Sequence, residues 1–402
     1  MRNGGFSAHF TFHNAGQGLF YSGRIGDFNL IYDCGSENKR HIQSLVSEFK
    51  RSNPGKSNID LLVLSHLHAD HVSGLDALLD NQTVVDTVML PYLSPEERLM
   101  VALGSSNSSE RLRDFWADPI SFLERKNVGR IVLFGANEAS PPEDVSGENE
   151  ERKMNIDKLP RDEKLESQIR EREGQSVTNL FNQNRLLAKR HNKSLIVSNR
   201  WLFRFFNIKQ KDPKQDQFEQ CVRKTFPNDD LVDIIRDNSK LKNLRACYDM
   251  LGGDFNNTSL VLYHGPISGR LYQMNQCNSC PRISFDRSEQ SPNRLAIHLN
   301  RAFGHFLTGD VNFDKWAEIE RHYGLYLSRV ALALVPHHGS RSSWRQVALN
   351  DIVNACWVTS SGISNKHGHP DPTICRDIKN NGSDLQCANE GVEVNSCGLF
   401  HT

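Results

Sequence analysis

Leu61-Leu62-Val63-Leu64-Ser65-His66-Leu67-His68-Ala69-Asp70-His71 sets a short apolar run and a serine before three histidines and an aspartate. The leucine and valine run reads as a buried strand, and Val72 to Leu79 begins a helix, so the polar residues fall in a strand-to-helix loop. Neutral imidazole and carboxylate are donors that suit zinc, manganese or iron. Four of them within six positions crowd a single ion. The cluster therefore reads as two adjacent metals, with His66 and His68 on one and Asp70 and His71 on the other.

Two later stretches repeat the pattern of a donor delivered by a strand end. Phe306-Leu307-Thr308-Gly309-Asp310 puts an aspartate just after apolar residues, and Val330 to Pro336 leads into His337-His338-Gly339-Ser340. Strand ends hold ligands still. Asp310 can bridge two metals through its two oxygens, and one of the paired histidines can complete the second ion. We favour His337 as ligand and His338 as a nearby substrate or proton-transfer group, although order in the chain hardly separates them. His367-Gly368-His369 follows the strand Cys356 to Ser360 and can hold a substrate oxygen, with Ser340 beside it.

Upstream, Ala8 to His13, the Gly16-Gln17-Gly18 turn into a second strand, and Phe28 to Gly35 form a meander whose third strand ends at Asp33. The order His-x-His-x-Asp-His after an apolar strand resembles the metallo-β-lactamase-fold hydrolases. That resemblance implies an α/β fold, a four-layer αββα sandwich with metals at the edge between its two sheets, and makes Asp33 the carboxylate partner of a ligating histidine. Gly16-Gln17-Gly18, the histidine loop, Asn257-Thr258-Ser259-Leu260, Leu307 to Asp310, Pro336 to Ser340 and His367 to Pro370 occur in the order of the soluble β-lactamase-like domain of the ComEC family. Where many members of the wider superfamily place a third histidine on the first metal, this chain offers Asn257, a weaker amide ligand that makes that metal labile or favours manganese over zinc.

The 402 residues, 38% of them hydrophobic, suffice for one catalytic domain with insertions. Residues 1–135 read as its first half and 198–402 as its second. The span 136–197 reads as a charged, partly disordered or helical insertion, because it is rich in charge and poor in aromatics. A second insertion near 265–293 carries Cys277-Asn278-Ser279-Cys280, half a zinc site that Cys375, Cys387 or Cys397 would have to complete. Nine scattered cysteines argue for reduced thiols, and with no apolar leader or spanning run the expected location is cytoplasmic, away from membranes. Lys plus Arg equals Asp plus Glu at 48 each, so any nucleic-acid binding must come from local patches such as Lys189 to Lys193 or Arg341 with Arg345.

The expected function is a binuclear metal-dependent hydrolase with two divalent ions, zinc or manganese, and a bridging hydroxide that Asp70 orients. The ComEC-like resemblance implies a phosphodiesterase or nuclease acting on a nucleic acid or nucleotide. Two alternatives stay open: hydrolysis of a small ester, thioester or lactam, and a metal-stabilised, non-catalytic protein whose insertions bind a protein partner. No phosphate-cradling glycine loop or Gly-x-Ser-x-Gly elbow argues for another chemistry.

Overall fold

A computed structural model describes residues 6–52, 58–105, 108–136, 139–141, 154–209, 214–251, 258–267, 271–273 and 303–400. Among them the strands form two sheets. The first half of the chain contributes β1 (Phe6–Phe12), β2 (Phe20–Ile25), β3 (Phe28–Cys34), β4 (Asn58–Val63), β5 (Val84–Pro91), β6 (Val128–Phe134) and β7 (Leu186–Lys189). There follow β8 (Leu195–Val197), β9 (Trp201–Lys209), β10 (Thr258–Pro266), β11 (Leu271–Gln273), β12 (Gly304–Leu307), β13 (Val330–Leu334), β14 (Cys356–Ser360), β15 (Asp384–Ala388) and β16 (Val394–Phe400). The nine-stranded sheet runs β11-β16-β1-β2-β3-β4-β5-β6-β7 and the seven-stranded one β15-β14-β13-β12-β10-β9-β8.

Three separate hydrophobic clusters show how these sheets are layered. Phe10, Tyr32, Val63, Phe203, Leu262 and Leu307 pack together between the sheets. Ile42, Leu62, Val88, Leu99 and Trp116 join the outer face of the first sheet to helices, and Phe206, Val261, Trp316, Trp344 and Ile374 do so for the second. Residues that alternate along β4 and β10 thus face different cores, as the period-two geometry of a strand requires. Three interfaces separate four layers, so the expected αββα sandwich is the observed one.

The parallel strands aim their carboxyl ends at one edge. β3 and β4 are parallel in the first sheet, as are β12, β13 and β14 in the second. All five of those ends lead into residues singled out above. The sheets are tied there as well: Leu260 N donates to Ser65 O at 2.7 Å, and the Tyr32 hydroxyl reaches the carbonyls of Leu260 and Leu307 at 3.0 and 3.2 Å. Gly18, at φ 151°, lets the turn before β2 lie against this edge, since a Cβ there would stand 2.5 Å from Gly35 O and 2.7 Å from Asp70 O.

Several expectations change in detail. Asp70 and His71 sit within a short helix, Ala69–Val72, rather than in the loop proper. The span 136–197 holds sheet strands β7 and β8 and the helices Glu163–Glu173 and Gln175–Asn182. Leu165, Ile169, Val177, Leu180 and Phe181 bury a narrow apolar stripe against the first sheet, which a composition average hides. Cys221 and Cys247, expected as free thiols, form a disulfide because helices Gln215–Thr225 and Arg245–Asp249 bring their Cα atoms to 5.8 Å. Asn257 and the Cys277–Cys280 segment lie outside the described residues. Among the described residues, no helix is long and apolar enough to cross a membrane.

His191 tests the energetics of the buried polar groups. It is fully buried beside Arg204, His322 and Phe206, and among the described residues no side-chain hydrogen bond to either ring nitrogen is made. Burial, reinforced by the Arg204 charge, pushes its pKa down from 6.5 to about 4. The unfolded chain therefore takes up a proton below about pH 6.5 that the folded chain refuses, and stability is lost as pH falls through that window. Replacing the ring, as in His191→Phe, should reduce the acid loss by roughly 3 kcal/mol at pH 4, read from denaturant unfolding at pH 7.5 and pH 4. An unchanged acid loss contradicts this.

Candidate metal centre

The centre begins at Asp33, a fully buried carboxylate at the end of β3. Its Oδ1 accepts from Ser65 N at 2.7 Å, and its Oδ2 accepts from Ser65 Oγ at 2.6 Å and from His71 Nδ1 at 2.8 Å. Since Ser65 Oγ donates to Asp33, it accepts from His66 Nδ1, 2.9 Å away. In the same way His338 Nδ1 donates to the carbonyl of Ser360 at 2.7 Å. Each of the three rings thus carries its proton on the outer nitrogen. Their Nε2 lone pairs all turn inward.

What they meet there is more acceptors. His66 Nε2, buried and without a hydrogen-bond partner among the described residues, stands 3.4 Å from Asp310 Oδ2. His71 Nε2 lies 3.1 Å from Asp310 Oδ1 and 3.2 Å from His338 Nε2, and His338 Nε2 lies 3.1 Å from Asp70 Oδ2. Lone pairs brought together this closely repel unless positive charge sits among them. Burial alone would lower the pKa of His71, yet the Asp310, Asp70 and Asp33 carboxylates outweigh it and hold it well above the ordinary value. His338 is likewise raised against burial by Asp310 and Asp70, and both carboxylates are held well below their usual range against burial, with His71 the largest lowering influence on each. The cage draws cations, and its imidazole and carboxylate donors fit divalent metal ions.

Among the described residues two groups of donors emerge, His66 with His71 and Asp310, and Asp70 with His71 and His338, each with ligand atoms within 4.8 Å of one another. His71 is common to both. This differs from the expected pairing. His68 is in neither group; its ring stands edge-on to that of His66, with centroids 4.9 Å apart, and burial followed by His66 pushes its pKa down to about 3. Of the paired histidines His338 falls in one of these groups and His337 in neither: His337 Nε2 is 3.7 Å from Asp310 Oδ2 and its Nδ1 is 3.1 Å from Ser343 Oγ. Both histidines adopt left-handed backbone, φ 49° and 55°, which turns successive side chains in directions that strand alternation would not give.

The remaining candidates lie on the loops after β13 and β14. His369, whose pKa is pushed down to about 4 by burial and then by His338 and His337, stacks 6.4 Å from the His338 ring. His367 is exposed and pairs with Glu37 at 2.8 Å, and the Ser340 hydroxyl is 2.9 Å from that of Ser342. A small cavity of about 20 Å³ opens at His66 and His68 against Leu93, Met100 and Val101 of the segment that holds helix Pro95–Gly104. In the basic run near residue 190, Lys189 is buried on the carbonyl of Leu159 and His191 is buried too, while Arg190 and Lys193 are exposed. Arg345 is taken up by Asp314. Sequence reasoning missed Ser65, Ser343 and the Ser360 carbonyl, whose partners are set by the fold; the serine just before the first histidine was the one local signal.

Residues 16–152 match the family model described as the Metallo-beta-lactamase superfamily. The fold is that of the metallo-β-lactamase superfamily. The matched stretch runs from the Gly16 turn through the histidine loop to beyond β6. No curated protein matches the sequence. Among solved structures, the metallo-beta-lactamase fold protein YhfI from Bacillus subtilis aligns over 97% of this chain and 100% of its own at 10% identity, TM-score 0.37. A diphosphatase from the PhnP family aligns over 98% and 99% at 10% identity, TM-score 0.34. Metallo-β-lactamase superfamily members are mostly metal-dependent hydrolases, and the donor set fits such an enzyme.

The Ser65 bridge carries a clear expectation. Removing its hydroxyl leaves the buried His66 Nδ1 without its acceptor and Asp33 with two of its three hydrogen bonds, those from Ser65 N and His71 Nδ1. Ser65→Ala should weaken metal binding by about 10–100-fold, measured by chelator competition. Wild-type affinity in that variant would show that the bridge does not orient the centre.

Proposed function

We propose that this protein is a binuclear metal-dependent phosphodiesterase, with a nucleic acid or nucleotide as substrate. The observation that carries the metal-dependent part is the convergence of three inward Nε2 lone pairs on the Asp70 and Asp310 carboxylates. His66 and Asp310 would hold one ion and Asp70 and His338 the other, the single inward lone pair of His71 going to one of the two, with His68 and His337 near enough to add donors. Bound divalent ions would supply Lewis acidity and bring the pKa of water toward neutrality. The order of motifs resembling ComEC-like domains supports a phosphodiester, as do the exposed Arg341 and Lys366 on the loops that carry Ser340 and His367.

The chain's own groups then have distinct tasks. Asp70 is the most open carboxylate of the cage, with its side chain 20% exposed against 2% for Asp310, so it can orient a water and accept its proton. His369 and Ser340 offer donors to the substrate's oxygens from the side of β14. Asp33, Ser65 and Ser360 hold the imidazoles in register. A second reading, hydrolysis of a small ester, is favoured by the apolar wall of Leu93, Met100 and Val101 beside His66.

The test is cleavage of single- and double-stranded DNA, RNA, bis(p-nitrophenyl) phosphate and p-nitrophenyl acetate by the purified protein with manganese or zinc, beside Asp70→Ala. Phosphodiester cleavage should fall about 10²–10⁴-fold in the variant. Ester cleavage without phosphodiester cleavage would move the assignment to the second reading, and equal rates in the variant would sink the mechanism.

A further inference from the structure

The Gly16-Gln17-Gly18 turn lies beside the cage without supplying a ligand to it. Gln17 is buried, and its Oε1 faces the backbone N–H of Gly362 at 3.3 Å while its Nε2 faces His369 Nδ1 at 3.3 Å. A backbone N–H can only donate. Gly362 therefore fixes which end of the amide is oxygen, and the amide nitrogen is left to donate to His369. His369 Nδ1 must then be an acceptor, so its one proton sits on Nε2.

The surroundings are built to keep this arrangement. Asn365 clamps the histidine loop, its Oδ1 accepting from the N–H groups of His367 and His369 and its Nδ2 donating to the carbonyls of Gly362 and His369. Glu390, from the turn between β15 and β16, accepts from Ile363 N at 2.8 Å, and its main-chain oxygen accepts from Asn14 Nδ2 at 3.3 Å. Its carboxylate fills the space where a Cβ on Gly16 or Gly362 would stand, 2.7 and 2.8 Å from Oε1. Ser360 couples the turn to the cage, its hydroxyl donating to Gly18 O at 2.5 Å and its carbonyl accepting from His338. The held ring stands between those of His338 and His367, with centroids 6.4 and 5.4 Å away.

We propose that Gln17 is a positioning residue that fixes His369 as a neutral Nε2–H donor, giving the site a subsite for an anionic oxygen of the substrate. This is the opposite tautomer from that of His66, His71 and His338, whose protons sit on Nδ1. Those three rings turn lone pairs to a cation, and His369 turns a proton to an anion. The use of that donor rests on the hydrolase reading above; the tautomer does not.

The experiment is long-range ¹H–¹⁵N correlation of the metal-loaded protein labelled with ¹⁵N-histidine, with His369 assigned by its loss in His369→Ala. In the wild type, Nδ1 of His369 should resonate as an unprotonated nitrogen and Nε2 as a protonated one. Gln17→Glu presents an acceptor to Nδ1 and should move the proton there. On an activated phosphodiester, Gln17→Glu and His369→Ala should each lower kcat by about 10²-fold with metal content unchanged, and the double variant should lose no more than either alone. A protonated Nδ1 in the wild type, or an unchanged spectrum in Gln17→Glu, overturns the proposal. Absence of cleavage by the wild type would instead refute the phosphodiesterase reading and leave the spectrum to decide the tautomer.

Discussion

The hydrogen bonds to Asp33 are the constraint on which the rest of the centre depends. A carboxylate with no exposure to water is costly unless every lone pair finds a donor, and this one takes the backbone and hydroxyl of Ser65 and the ring of His71. Those contacts join the end of β3 to the end of β4 and to the helix Ala69–Val72. They also set proton positions. Once Oδ2 has claimed the Ser65 proton, His66 must give its Nδ1 proton to Ser65, and both ligating nitrogens are turned inward. One buried carboxylate thereby orients two imidazoles that are five residues apart.

The cost of this arrangement is visible in the backbone. Asp33, His337 and His338 all occupy the left-handed region at φ 57°, 49° and 55°, where a residue with a side chain is strained by about 1–3 kcal/mol. All three belong to one centre. The strain persists because the surrounding sheets over-determine it: Leu260 ties β10 to Ser65, and His337 N donates to Gly309 O at 3.1 Å. Among the carboxylates the inward nitrogens of His71 and His338 attract positive charge, protons when no ion is bound, and a divalent ion would take their place. Ion binding there would release protons and stabilise this edge of the sandwich.

Much of this was legible in the chain, for reasons that differ by residue. The histidine loop could be read because strand, turn and helix signals are local and its donors are adjacent in sequence. Asp310 could be read as a donor placed by a strand end. His337 and His338 could not be separated, because a left-handed pair has no periodicity from which to predict which ring points inward. Ser65 and the Ser360 carbonyl depend on partners across the sheets, so no pattern around them reveals their task. The strands within 136–197 were hidden by charge: Leu165 and Ile169 bury a single face of an otherwise polar helix, and β7 and β8 are only four and three residues long. Gln17 could be singled out by its flanking glycines, but its partner His369 is set by the fold.

The central claim is that this cage holds cations, and anomalous scattering from crystals grown with manganese or zinc tests it most directly. The account predicts anomalous peaks beside His66 and Asp310 and beside Asp70 and His338, the first lost in Asp310→Ala. Metal bound elsewhere on the protein, with neither position occupied in the wild type, would contradict it.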